Sequence, residues 1–186
     1  MIDAHGRVYV DGADFDFLGG AAPEPGWIHL VEPDGTTRPV AGDLDFPNGM
    51  VITPDGATLV VAESFAGRLT AFDIADDGSL GHRRVWAEGL GPDGICPDAD
   101  GAIWAQTADT FAHSDEPDAP GGAVVRVLDG GEITHRVETA NPCFACALGG
   151  DRLFLLCNEF EGIEKATEVL DRRSAQVLVV EVPPAR

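Results

Sequence analysis

Along nearly the whole chain, short runs of Val, Ile, Leu, Thr and aromatic residues alternate with clusters of Gly, Asp and Pro. That pattern signals strands closed by tight turns. It predicts strands near Met1–Asp3, Arg7–Val10, Trp27–Val31 and Thr37–Ala41, and a second set near Gly49–Ile52, Thr58–Ala62, Arg68–Ile74 and Gly81–Val85. A third set falls near Gly94–Cys96, Ala102–Gln106, Ala123–Leu128 and Ile133–Glu138, and a shorter one near Cys143–Ala147, Arg152–Leu156 and Gln176–Val182. Only Gly162–Arg172 carries a trace of helical period, and its charge places it on the surface.

The sets are copies of one another. FPNGMVITPDGATLVVAE from Phe46, GPDGICPDADGAIWAQ from Gly91 and NPCFACALGGDRLFLLC from Asn141 superpose, so that Asn48, Asp93 and Cys143 share one place at spacings of 45 and 50 residues. Gly6 in DAHGRVYV stands where Gly56 and Gly101 stand later. Four antiparallel strands per repeat of about 45 residues is the arithmetic of a β-propeller. A β-sandwich of short strands gives no reason for the same turn to return at the same place. The expectation is therefore an all-β chain forming one partial propeller domain over residues 1–186, with repeats at approximately 1–45, 46–90, 91–140 and 141–186. The residue matching Asn48 would lie ahead of Met1 in the first copy, so the chain is expected to be the C-terminal part of a larger propeller. An open arc leaves blade edges uncovered, which predicts self-association.

Composition narrows the function. The 186 residues carry 32 acidic and 12 basic side chains, a formal charge of -20. Such a surface repels phosphate backbones and anionic lipid, so neither nucleic acid nor membrane is an expected partner. Residues 1–67 hold eleven acidic residues against Arg7 and Arg38 alone. This is either a solvated acidic surface or an attraction for cations, and the second needs specific ligands. The opening MIDAHGRVYV lacks a basic n-region and an apolar h-region, and no run is long enough for a membrane helix. Cys96, Cys143, Cys146 and Cys157 are few for a disulfide framework, and the single CxxC has no second half to complete a zinc site. Reduced thiols and a cytoplasmic location are expected.

The repeated position is where chemistry concentrates. In a propeller the loop entering each innermost strand lies at one mouth of the central channel, so Asn48 and Asp93 point toward the axis at the same face. An amide oxygen and a carboxylate are hard ligands that suit Ca²⁺, Mg²⁺ or Mn²⁺. Asn-Gly and Asp-Gly also favour tight turns by themselves. The turn on the opposite face, however, is made separately by Asp55-Gly56 and Asp100-Gly101. Gly49 and Gly94 serve either a close approach or an unusual backbone angle. The long loops Asp11–Gly26, Thr107–Gly122 and Cys157–Ala175 fall on the face of Asn48 and Asp93, as walls of a site or as tolerated insertions. His113, in one of them, is a candidate substrate contact or a solvated loop residue. Glu63, ending its strand, faces the channel mouth as a second candidate contact or solvates a strand end.

FPNGMVITPDGATLVVAES, PDGICPDADGAIWAQ and the terminal AQVLVVEVPPAR resemble segments of the family of gluconolactonases, regucalcin (senescence marker protein) and luciferin-regenerating enzyme. The resemblance implies a six-bladed propeller with one divalent cation on its axis, held by a Glu, the Asn of PNG and the Asp of PDG. Asn48 and Asp93 match the last two. The Glu and the family's substrate-contacting Arg and Asn belong to segments that would precede Met1. The implied function is divalent-metal-dependent opening of sugar lactones, with Ca²⁺ the first expectation and Zn²⁺, Mg²⁺ or Mn²⁺ the alternatives. Asp93 is then both ligand and acceptor of a water proton. Two other functions stay open: a non-catalytic propeller fragment that binds or assembles, and a related propeller esterase acting on other lactones or organophosphates.

Overall fold

The computed structural model describes residues 1–17, 19–111, 121–160, 165, 168 and 171–182. Its strands form four antiparallel sheets, in each of which consecutive strands are neighbours. The first holds β1 (Val8–Ala13), β2 (Gly26–Val31) and β3 (Thr37–Leu44), and the second β4 (Pro47–Ile52), β5 (Thr58–Glu63), β6 (Arg68–Ile74) and β7 (Leu80–Glu88). The third holds β8 (Cys96–Pro97), β9 (Ile103–Gln106), β10 (Gly122–Val127) and β11 (Ile133–Thr139), and the fourth β12 (Cys143–Gly149), β13 (Arg152–Cys157) and β14 (Gln176–Glu181). These are four blades of a β-propeller.

Blades stack because a strand sends alternate side chains to opposite faces. In β5, Leu59 and Val61 join Tyr9, Ile28, Leu30 and Phe72 in a core between the first two blades. Val60 and Ala62, pointing the other way, join Ile103, Ala105 and Val125 in a core between the second and third. Trp104 and Val124 then meet Leu153, Leu155 and Cys157 between the third and fourth. The inner blades are thus apolar on both faces, and β9 and most of β5 are buried throughout. Among the described residues, the last blade has one face covered. Leu153 and Leu155 are buried, whereas Phe154, Leu156, Val177 and Val179 are exposed.

Two predicted inner strands are shorter than the pattern suggests. Met1–Asp3 is reduced to a bridge from Ile2 to Val8, with the Tyr9 amide donating to the Met1 carbonyl. The inner strand of the third blade pairs only over Cys96–Pro97, because Gly94 turns away to bridge Ala145 of the next blade. Gly162–Arg172 lies mostly outside the described residues. The four cysteines are free thiols, and burial pushes Cys143 up to about 12. No helix among the described residues is long and apolar enough to cross a membrane.

Candidate active site at the channel mouth

The repeated glycines explain how neighbouring blades meet at the axis. The Gly49 amide donates to the Asp93 carbonyl at 3.0 Å, and the Gly94 amide to the Phe144 carbonyl at 2.8 Å. A Cβ on Gly49 would fall 2.3 Å from the Asp93 oxygen, and one on Gly94 would fall 2.7 Å from the Ala145 Cβ. Neither glycine is left-handed. Of the two roles open to these glycines, close backbone approach is the one the fold uses.

This approach brings the preceding side chains together. The Asn48 amide lies beside Asp93 in the same cavity lining and reaches the Ser64 Oγ at 3.5 Å. Ser64 in turn donates to the Pro92 carbonyl at 2.7 Å. Gln106, fully buried at the end of β9, clamps the backbone around Asp93: its Oε1 accepts from the Asp93 amide and its Nε2 donates to the Gly94 carbonyl, both at 2.8 Å. Burial raises the Asp93 pKa above the usual carboxylate range, and the Asn48 amide offsets only part of this rise.

Asn48, Ser64 and Asp93 form the polar floor of a cavity of about 360 Å³. Its walls are aromatic. Phe17 comes from the β1–β2 loop and Phe160 from the β13–β14 loop, while Phe46, Phe65 and Phe144 flank the inner strands. Phe46 and Phe65 stack at 4.3 Å with rings 11° apart, and Phe17 packs against both at 5.1 and 5.7 Å. Phe46 takes a left-handed φ of 56°, a costly conformation for an aromatic residue.

The remaining sequence candidates fall elsewhere. Glu63 does not line the cavity: it is fully buried, and its carboxylate is saturated. Arg68 donates to it at 3.0 and 3.1 Å, Arg83 at 3.1 and 3.2 Å, and the Asp45 amide at 2.8 Å, with Thr70 Oγ1 a further donor. The expected channel-mouth contact is therefore corrected to a buried anchor. Burial alone would raise the Glu63 pKa, but the bonds from Arg68, Thr70 and Asp45 and the charge of Arg83 outweigh it and hold it at about 2. Arg83 also donates to the carbonyls of Gly42 and Asp43, so Glu63 fixes the turn that delivers the chain to Asn48. His113 lies outside the described residues. Ser64 and Gln106 were not singled out from sequence, although both stand where a repeat's second strand ends, the place that drew attention to Glu63.

Among the described residues no group of three or more His, Cys, Asp or Glu side chains is gathered to hold a metal. The cavity floor nevertheless offers the chemistry a hard cation accepts: a desolvated carboxylate with no basic side chain among the described lining residues, and a neutral amide beside it. The donor set fits a divalent ion, to which Asp93 and Asn48 would contribute two of the six to eight oxygens that Ca²⁺ usually takes.

A family model described as SMP-30/Gluconolactonase/LRE-like region matches residues 1–157. The chain is 27% identical over 172 residues to Lactonase drp35 of Staphylococcus saprophyticus subsp. saprophyticus, an alignment covering 87% of this chain and 50% of that protein. Among solved structures it is similar to XC5397, a gluconolactonase from Xanthomonas campestris, with a TM-score of 0.65 and 26% identity over 84% of this chain and 52% of that one. It also superposes on a calcium-binding protein, regucalcin, from Agrobacterium tumefaciens, with a TM-score of 0.70 and 21% identity over 99% of this chain and 61% of that one. The chain thus spans about half the length of the curated relative it matches.

Proposed function

The chain belongs to the SMP-30/gluconolactonase/LRE-like family, and from that premise we propose that it is a hydrolase opening lactone rings at the cavity floored by Asn48 and Asp93. The single observation supporting this most is that a carboxylate and an amide, 45 residues apart in the sequence, line one small-molecule-sized cavity together.

In this reading Asp93 and Asn48 hold a divalent cation, Ca²⁺ first by the hardness of their oxygens. When bound, the cation supplies Lewis-acid polarisation of the lactone carbonyl and lowers the pKa of water. The chain's own residues do the rest. Asp93 takes the proton of the attacking water on a carboxylate oxygen. The water oxygen bonds to the acyl carbon, the ring C–O bond breaks, and the released oxygen takes up a proton to leave a hydroxy acid. Gln106 and Ser64 act as positioning residues by fixing the Pro92–Gly94 backbone. A substrate seated against the phenylalanine walls would displace water, which strengthens every polar interaction on the floor.

The test is lactone opening followed by pH-stat with added Ca²⁺. Asp93→Asn is expected to lower kcat/KM at least a hundredfold, and retention of full activity would refute the assignment.

A second reading, pairing with another copy of the chain, rests on the exposed Leu156, Val177 and Val179 of the last blade. Solution mass tests it: a monomer at every concentration rules it out.

A further inference from the structure

At the position where Asn48 and Asp93 stand in their repeats, the next copy carries Cys143. Cys143 is absent from the described cavity lining and turns instead into the core between the third and fourth blades. Cys96 and Cys157 are buried in the same core and Cys146 packs against it, so all four cysteines of the chain meet there. We infer that Cys143 and Cys157 form a cross-strand disulfide by exchange with a small-molecule disulfide, a reversible latch that ties the inner strand of the last blade to its neighbour.

The register selects this pair. Cys143 on β12 faces Cys157 on β13, and the Asn158 amide donates to the Pro142 carbonyl at 3.0 Å. A bond from the residue after one partner to the residue before the other marks a non-hydrogen-bonded pair. This is the closer of the two antiparallel kinds, with Cα atoms about 4.5 Å apart. A disulfide spans Cα separations of roughly 4.4–6.8 Å. Both side chains also lie on one face, in one core cluster. The other two thiols are placed differently. Cys146 donates to the Gly94 and Trp104 carbonyls at 3.5 and 3.4 Å. It borders Cys96, but the two belong to different sheets, so no strand register sets one opposite the other.

The closed blade protects the pair. Both thiols are fully buried, and burial pushes Cys157 up and Cys143 to about 12, so neither supplies the thiolate that exchange requires. The far face of the blade carries Leu156, Val177 and Val179 exposed, so less packing is lost when this blade opens. Opening returns the thiols to water and lets one ionise. That thiolate attacks a sulfur of the small disulfide and expels the first thiolate. The second cysteine then attacks the protein sulfur of the mixed disulfide and expels the other. One S–S bond breaks and one forms, the two cysteines are oxidised as the reagent is reduced, and their protons pass to the two released thiolates. Phe144 directly follows Cys143 and Phe160 stands three residues past Cys157, so the latch sits at the base of two cavity walls.

The test incubates the folded chain with oxidised glutathione, blocks the remaining thiols and maps tryptic fragments without reduction. The expected main product joins residues 137–152 to residues 153–165, lighter by two hydrogens than their sum, and dithiothreitol releases it. Because residues 137–152 hold both Cys143 and Cys146, the cross-link is expected to survive Cys146→Ala and to vanish in Cys143→Ala. It should form faster in urea below the unfolding midpoint and raise the melting temperature by about 5–10 °C. Thiols that stay free in such urea, mixed disulfides with glutathione that go no further, loss of the cross-link in Cys146→Ala, or a main product joining Cys96 to Cys146 would each overturn the inference.

Discussion

The Gly49 amide donates to the Asp93 carbonyl at 3.0 Å, so the segments carrying the two candidate ligand residues are linked by backbone. The separation of Asn48 and Asp93 is therefore fixed by the seam between two sheets rather than by flexible loops. A site built on such rigid elements holds its geometry without a ligand to organise it.

Gly49→Ala tests the seam. Its Cβ would fall 2.3 Å from a backbone oxygen, which cannot swing aside as a side chain could. Overpacking of this kind costs about 1–3 kcal/mol. Thermal denaturation is expected to show that loss, together with reduced lactone opening. A variant of unchanged stability and activity would mean that the blades need not approach so closely.

Glu63→Gln tests the buried anchor. Removing one charge from a buried, hydrogen-bonded cluster costs about 3 kcal/mol, tempered here by the partial exposure of Arg68 and Arg83. The acid limb of stability carries the same signature. The Glu63 pKa is depressed from 4.5 to about 2, so its contribution is present above pH 4.5 and is lost as the pH falls toward 2. Denaturation at stepwise lower pH should show wild type losing stability over that window, while Glu63→Gln, already weakened, changes less. Parallel curves would exclude Glu63 as the source.

Gln106→Leu removes the clamp on Asp93 while keeping apolar bulk. It leaves the Asp93 amide and the Gly94 carbonyl without this partner, at about 1–3 kcal/mol. Because Gln106 acts through Asp93, kcat is expected to fall about tenfold with KM little changed. Gln106→Glu, which keeps one acceptor for the amide, should recover part of it. Equal loss in both variants would point to a purely structural role.

Chelation tests the cation. EDTA is expected to abolish lactone opening and Ca²⁺ to restore it. At 100 times its Kd the ion should also raise stability by about 2.7 kcal/mol. Asp93→Asn should lose most of that rise in melting temperature. An equal rise in the variant would place the ion elsewhere.

The strand pattern was legible because the repeat shows the same turns several times over. Gly6, Gly56 and Gly101 all take left-handed φ values, at 80°, 75° and 85°. The inner strands were less legible, because their pairing depends on the adjacent blade. Gly94 leaves its own sheet to bond Phe144 and Ala145, a choice no local propensity encodes. Asn48 and Asp93 stood out because PNG and PDG recur in register and match the family's segments. The fate of Glu63 could not be read, since Arg83 reaches it from two strands further along the blade and its burial depends on how the sheets stack. The cavity walls were hidden for a related reason. Phe17 and Phe160 sit in loops without periodicity, where sequence gives no sign that two such distant rings border one space.

With its apolar residues divided among three separate interfaces, this chain has no single nucleus on which all its stability rests. Cohesion passes from neighbour to neighbour, as in a stacked array. The two middle sheets, gripped from both sides, should exchange their amide protons last, and the outermost strands should fray first. Asn48 and Asp93 span the seam joining those two middle sheets, in the most slowly opening part of the molecule.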